Sequence, residues 1–122
     1  DFAQTFLDIA GARQPGDMQG LALTPLLRGK TPANWRKTHY YHYYEAGGHG
    51  VPVHYGVTDG RHKLIRFPDD TLDAWEFFDL KKDPNEMQSR YDDPQYTRTI
   101  AALKEELNRL RKQYQVENFE NP

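Results

Sequence analysis

The sequence predicts an α+β fold: a small four-stranded antiparallel sheet packed by one long C-terminal helix, with short helices ahead of it. Three observations predict it. Between residues 38 and 80, aromatic and β-branched residues form short runs broken by Gly and Pro, with period-two alternation over 38–45. Asp59-Gly60 separates two of these runs and reads as a type I′ hairpin turn. Beyond Asp93-Pro94, the residues Tyr96, Ile100, Leu103, Leu107, Leu110 and Tyr114 recur at steps of four and three, one apolar stripe on a helix of about five turns.

In chain order, residues 1–12 place Phe2, Phe6, Ile9 and Ala10 at helical spacing, with Gly11 as the stop. Residues 13–20 form a loop by their Pro and Gly. Residues 23–30 predict a short helix with Thr24 as N-cap, Pro25 at the first helical position and Gly29 at its end. Residues 31–37 repeat the Thr-Pro start and predict one or two further turns. Four strands follow, over 38–45, 53–58, 61–67 and 75–80. Asp83-Pro84-Asn85-Glu86 reads as a capping box on a helical turn. On the last helix, Glu105 and Arg109 form an i,i+4 pair in the favourable order. This gives three parts: residues 1–37 as a terminal helix with a linker of short helices, 38–115 as the sheet-plus-helix subdomain, and 116–122 as a frayed tail.

Composition narrows the function. The 122 residues suit one domain, but 37% hydrophobic content is low for a self-sufficient globule, and one helix covers only one sheet face. The chain therefore reads as a piece of something larger, and an uncovered sheet face would offer a route to dimers. A net charge of −2 gives no footprint for nucleic acid. No apolar run approaches the roughly 20 residues of a membrane span, and no signal-peptide pattern is present. The absence of Cys excludes a disulfide, a thiol nucleophile and Cys-ligated zinc.

His39, His42, His49 and His54 lie close together in sequence. A metal site is disfavoured, because His39 and His42 are three apart on a strand and point to opposite faces. A second reading sets His42, Tyr44, His49 and His54 at a cleft edge, hydrogen-bonding a polar or anionic ligand. Tyr41 and Tyr43 read as half-core sheet residues. Asp69, Asp70 and Asp73 read as a solvated turn, lacking the Gly and terminal Glu of an EF-hand loop. No Ser or Thr sits in a nucleophile-elbow context.

The order of DFAQTFLDIAG, MQGLALTPLLRGKTPANWRK, YYHYYE, HYGVTDGRHKLIRF and AWEFFDLKKDPNEMQSRYDDP, followed by a terminal helix, resembles the C-terminal portion of type I sulfatases, over residues 1 to about 115. WEFFDLKKDPNE resembles that family's Glu-Leu-Tyr-Asp-Leu…Asp-Pro-x-Glu signature, and GRHKLI its Arg-Tyr-Lys-Leu-Ile strand. The YYHYYE and HYGV segments are most like bacterial N-acetylglucosamine-6-sulfatases and heparan-type sulfatases. The resemblance implies a subdomain packed against an absent N-terminal catalytic domain of the alkaline-phosphatase-like superfamily. That domain would carry a formylglycine made from Cys or Ser in a Cys/Ser-x-Pro-x-Arg motif, and a calcium ion; this chain has neither group. The whole enzyme would hydrolyse sulfate esters of sulfated sugars, in the periplasm or outside the cell. By position in the pattern, His42, His49 and His54 would contact the sugar, with Tyr44 and Glu45 behind them. Val57-Thr58-Asp59 departs from the family's frequent Val-Arg-Thr, so an anionic contact at that strand is not carried over. The alternatives are a freestanding carbohydrate- or protein-binding α+β module and a small His-metal protein.

Overall fold

The structure is a computed structural model and describes residues 1–45, 50–68 and 72–116. It divides into two compact units, the first ending at Arg36 and the second starting at Lys37.

In the first unit, α1 (Phe2–Ile9) and α2 (Thr24–Leu27) both end in Schellman motifs. Gly11 and Gly29, at φ 63° and 72°, take the left-handed position each motif needs. The amides of Ala12 and Lys30 close the outer bonds to Leu7 and Pro25. The burial of α1 differs from that expected of an apolar stripe. Gln4 and Thr5 are buried, whereas Phe2, Phe6 and Ile9 are 73%, 67% and 67% exposed. The cause is a row of acceptors on the polar face. Asp1 accepts from the Leu21 amide (2.9 Å), Thr5 Oγ1 from the Leu23 amide (2.9 Å), and Asp8 from the Thr24 hydroxyl. The returning chain is thus laid along the polar side. Its hydroxyl already committed to Asp8, Thr24 does not cap α2; Leu23 is the N-cap and makes no side-chain cap bond. The predicted helix after Thr31 is a single turn closed by Trp35 N–H to Pro32 O (3.0 Å).

The second unit is a meander. Strands β1 (His39–Tyr43), β2 (His54–Thr58), β3 (His62–Phe67) and β4 (Ala74–Asp79) pair antiparallel in chain order. The β2–β3 turn sits one residue later than the sequence predicts. Asp59 N–H donates to His62 O, so Gly60-Arg61 forms the loop, and positive φ falls on Gly60 alone. The Asp59 carboxylate accepts from the Arg61 and His62 amides (2.8 and 2.6 Å), which fixes the turn by side chain rather than by a type I′ backbone. After β4, the predicted capping box does not form. Glu86 instead holds Lys63 Nζ at 2.6 Å, and Asp83 accepts from the Gln88 amide.

Asp93 caps the last helix by accepting from Gln95 N–H (3.0 Å); one 3-10 turn leads into α3 (Thr97–Gln113). The expected stripe is the buried one. Tyr96, Ile100, Leu103, Leu107 and Leu110 pack with Tyr55, Val57, Leu64 and Phe77 of the sheet, and Tyr40, Trp75, Tyr91 and Tyr114 close the margins. Arg109 pairs with Glu106 rather than Glu105, through two bonds of 2.7 Å, because Glu106 also accepts from the Thr38 hydroxyl. On the opposite sheet face, Ile65 and Phe78 are buried. The centre of that face is not bare as the sequence suggested, and the large exposed apolar groups include those on α1. Among the described residues, no helix is long and apolar enough to cross a membrane.

Two ion pairs join the motifs around β3 and β4. Arg61 grips Asp79 through Nη2 and Nε at 2.9 and 3.2 Å, and Lys63 grips Glu86. Asp79 is 2% exposed and also accepts from the Tyr96 hydroxyl (3.2 Å). The Arg61 guanidinium holds its carboxyl well below the usual value of 3.8, outweighing burial, and the Tyr96 hydroxyl adds to the effect. A depressed carboxylate pKa stabilises the fold above the unfolded-state pKa, and that contribution is lost as pH falls through the folded value. Urea midpoints are therefore expected to drop from pH 5 to pH 3, by a smaller margin in Asp79→Asn, which starts from a lower midpoint. An equal acid drop in both proteins would show that Asp79 is not a source of the acid sensitivity.

Candidate functional site

Of the predicted site residues, the described ones, His42, Tyr44, Glu45 and His54, lie at the β1–β2 end of the sheet, but the pleat divides them. Cross-strand register sets Tyr43 opposite His54 and His42 opposite Tyr55. Adjacent residues of a strand face opposite ways, so His42 lies on the helix side and His54 on the other. His49 lies outside the described residues.

On the helix side, the rings of His42 and Tyr44 stack at 3.7 Å between centroids and 24° between planes. Tyr55 packs behind His42 at 5.4 Å. The Tyr40 hydroxyl is 2.9 Å from His42 Nδ1. Arg111 of α3 lies over the Tyr55 ring at 4.5 Å and donates to its hydroxyl (3.1 Å). Arg111 also lines a cleft of about 280 Å³ with Asn108, Lys112, Gln115 and Val116. Burial, aided by the Arg111 and His54 charges, lowers the His42 pKa, so the imidazole is neutral at pH 7. Burial pushes the Tyr40 phenol up to about 12, with a smaller contribution from Tyr44, so it keeps its proton. The resemblance set the histidines in front and Tyr44 behind. The exposure runs the other way: His42 Nε2 is out of contact with solvent, and Tyr44 is 58% exposed.

On the other side, His54 sits among Tyr43 (5.5 Å, stacked), Tyr41 (6.0 Å) and Phe67 (5.5 Å). His54 Nδ1 is 2.9 Å from Pro52 O, which can only accept, so Nδ1 carries a proton. The Tyr43 hydroxyl donates to Glu45 at 3.3 Å. His54, Tyr43 and Glu45 thus form one group, and His42 and Tyr44 another.

The first 113 residues match the family model described as N-sulphoglucosamine sulphohydrolase, C-terminal. The chain belongs to this family. Its relatives agree with that. It is 47% identical over 117 residues to an N-acetylglucosamine-6-O-sulfatase of Bacteroides thetaiotaomicron, covering 93% of this chain and 21% of the relative. It is 31% identical over 107 residues to a Δ4,5-hexuronate-2-O-sulfatase of the same organism, covering 83% and 21%. A solved structure in complex with its substrate, D-glucosamine-2-N,6-O-disulfate, superposes with a TM-score of 0.93 at 44% identity, over 99% of this chain and 25% of the other. A phosphonate monoester hydrolase from Silicibacter pomeroyi shares the fold, with a TM-score of 0.78 at 20% identity over 98% of this chain and 25% of that one. The chain thus spans about a fifth of the length of the curated relatives it matches.

This sulphohydrolase C-terminal domain does not fit the formylglycine or the calcium of the sulfatase resemblance. It has no Cys, and its one serine, Ser89, is followed by Arg90 and accepts from the Phe77 and Tyr91 amides (3.2 and 3.4 Å). Among the described residues, no three His, Asp or Glu side chains are grouped to hold a metal ion. The sequence reading missed Tyr40, Tyr55 and Arg111. Arg111 lies 56 residues from Tyr55, and no local pattern links them. It also missed Arg61 and Asp79, although both stand in the segments that carry the family resemblance. Their job is to tie those segments together.

Proposed function

We propose that this chain is the C-terminal subdomain of a sulfatase that hydrolyses O-sulfate esters of an amino sugar, and that it forms one wall of the substrate cleft. A partner catalytic domain supplies the formylglycine and the calcium ion; this domain supplies contacts to the sugar at the β1–β2 end of its sheet, from Tyr44 on the helix side, with His42 behind it, and from His54 and Glu45 on the other side, with His49 as a further contact. The likeness over nearly the whole chain to an N-acetylglucosamine-6-O-sulfatase carries this reading. The exposed Phe2, Phe6 and Ile9 support it against a freestanding module, which would leave all three in water.

The test is sulfate release from 6-O-sulfated N-acetylglucosamine. The 122-residue chain alone is expected to release none, and the protein that joins it to a domain bearing the Cys/Ser-x-Pro-x-Arg motif is expected to turn the sugar over. Release by the isolated chain would overturn the division of labour. Failure of the joined protein on 6-O-sulfated, 2-O-sulfated and N-sulfated sugars alike would overturn the sulfatase reading.

A further inference from the structure

Resting on that reading, we propose that His42 is a positioning residue, and that the side chain meeting the sugar on the helix side is the Tyr44 phenol, held as a flat platform for the C–H face of a pyranose ring. Three observations support this. The His42 ring is stacked against Tyr44 at van der Waals distance and also packs against Tyr55, so much of its ring is already in contact. Its Nε2 is shielded from solvent. Its Nδ1 is engaged by Tyr40. Tyr44 is 58% exposed, whereas His42 is only partly exposed.

The hydrogen bond fixes the imidazole. The Tyr40 hydroxyl and His42 Nδ1 share one hydrogen bond of 2.9 Å. That bond stops the ring from turning, and the unturned ring sets the plane of Tyr44. Arg111 completes the support by pinning Tyr55, through both its ring face and its hydroxyl. The platform is thus assembled from β1, β2 and α3 at once.

Two measurements test the role. In the 122-residue chain, ring spectra at pH 7 are expected to show the Tyr44 ring protons displaced upfield by the stack. His42→Ala is expected to abolish that displacement. His42→Phe, combined with Tyr40→Phe so that no hydroxyl is orphaned, is expected to keep it. In the joined enzyme, Tyr44→Ala is expected to raise KM for 6-O-sulfated N-acetylglucosamine about tenfold with kcat little changed, the loss of an aromatic contact made equally in ground and transition states. The Phe pair is expected to stay within about twofold of wild type, since the plate survives. An undisplaced Tyr44 ring in the wild-type chain, or a Phe pair as impaired as His42→Ala, would overturn the role. Should no sulfated sugar be turned over by any of these proteins, the sulfatase reading fails, and the ring spectra still decide whether His42 holds Tyr44.

Discussion

Phe77→Ala is expected to lower the unfolding free energy of the chain by about 3–5 kcal/mol. Phe77 is fully buried, and its ring packs against Tyr96 at 4.9 Å and His62 at 5.7 Å between centroids. It also stands opposite Leu64, another fully buried side chain, in the β3–β4 register. Removing the ring deletes its transfer free energy and leaves a void roofed by α3, which is anchored at several other points and cannot collapse to fill it. Urea denaturation of the wild type and the variant measures the loss. Phe77→Leu is the control, and is expected to cost much less, because most of the volume remains. A loss under about 1 kcal/mol for the Ala variant would mean that the sheet–helix interface is far looser than the packing described.

Gly56→Ala is expected to be the next most damaging change, at about 1–3 kcal/mol. A Cβ on Gly56 would run into the carbonyl oxygen of Leu64 and stand 2.6 Å from the Tyr41 hydroxyl oxygen. The Tyr41 ring crosses the strand at this point and rests on the bare backbone. A side chain can swing away, but a carbonyl in a central ladder cannot. Gly56→Ala in a Tyr41→Ala background should therefore recover only part of the loss. Thermal unfolding of the two single variants and the double variant separates the terms. Full recovery would show that the ring is the sole obstacle; no effect of Gly56→Ala at all would contradict the close approach itself.

The fold was largely legible because its two periodicities are strong. Alternating Tyr, His and Val residues marked the strands, and the stripe from Tyr96 to Tyr114 marked both the helix and its buried face. The face of α1 was not legible. Its apolar residues have helical spacing, but the choice of which side to bury was made by backbone amides arriving 18 and 20 residues later on Thr5 and Asp1. Local pattern cannot register a partner at that distance. The same limit explains Glu106 for Glu105: the deciding contact is Thr38, 68 residues away. At the candidate site, the composition pointed to the β1–β2 end of the sheet. The division between faces turns on the Tyr43–His54 register, which depends on the path between the strands rather than on either strand alone. Burial then left Tyr44 the more exposed of the pair and shielded His42 Nε2.

The meander order has a consequence for how the second unit comes into being. Every strand pairs with its neighbour in the chain, so each hairpin can close over a short loop, and little chain entropy is lost before contacts reward it. The helix is different: residues of α3 must return across 56 to 68 positions to reach Tyr55 of β2 and Thr38 at the start of β1. Closure of the unit therefore waits for its last long element. During synthesis, the four strands leave the ribosome well before the residues that will cover their apolar face. In that interval Tyr55, Val57, Leu64 and Phe77 are a sheet surface without a roof, and the time spent there is set by how fast α3 is made and docks.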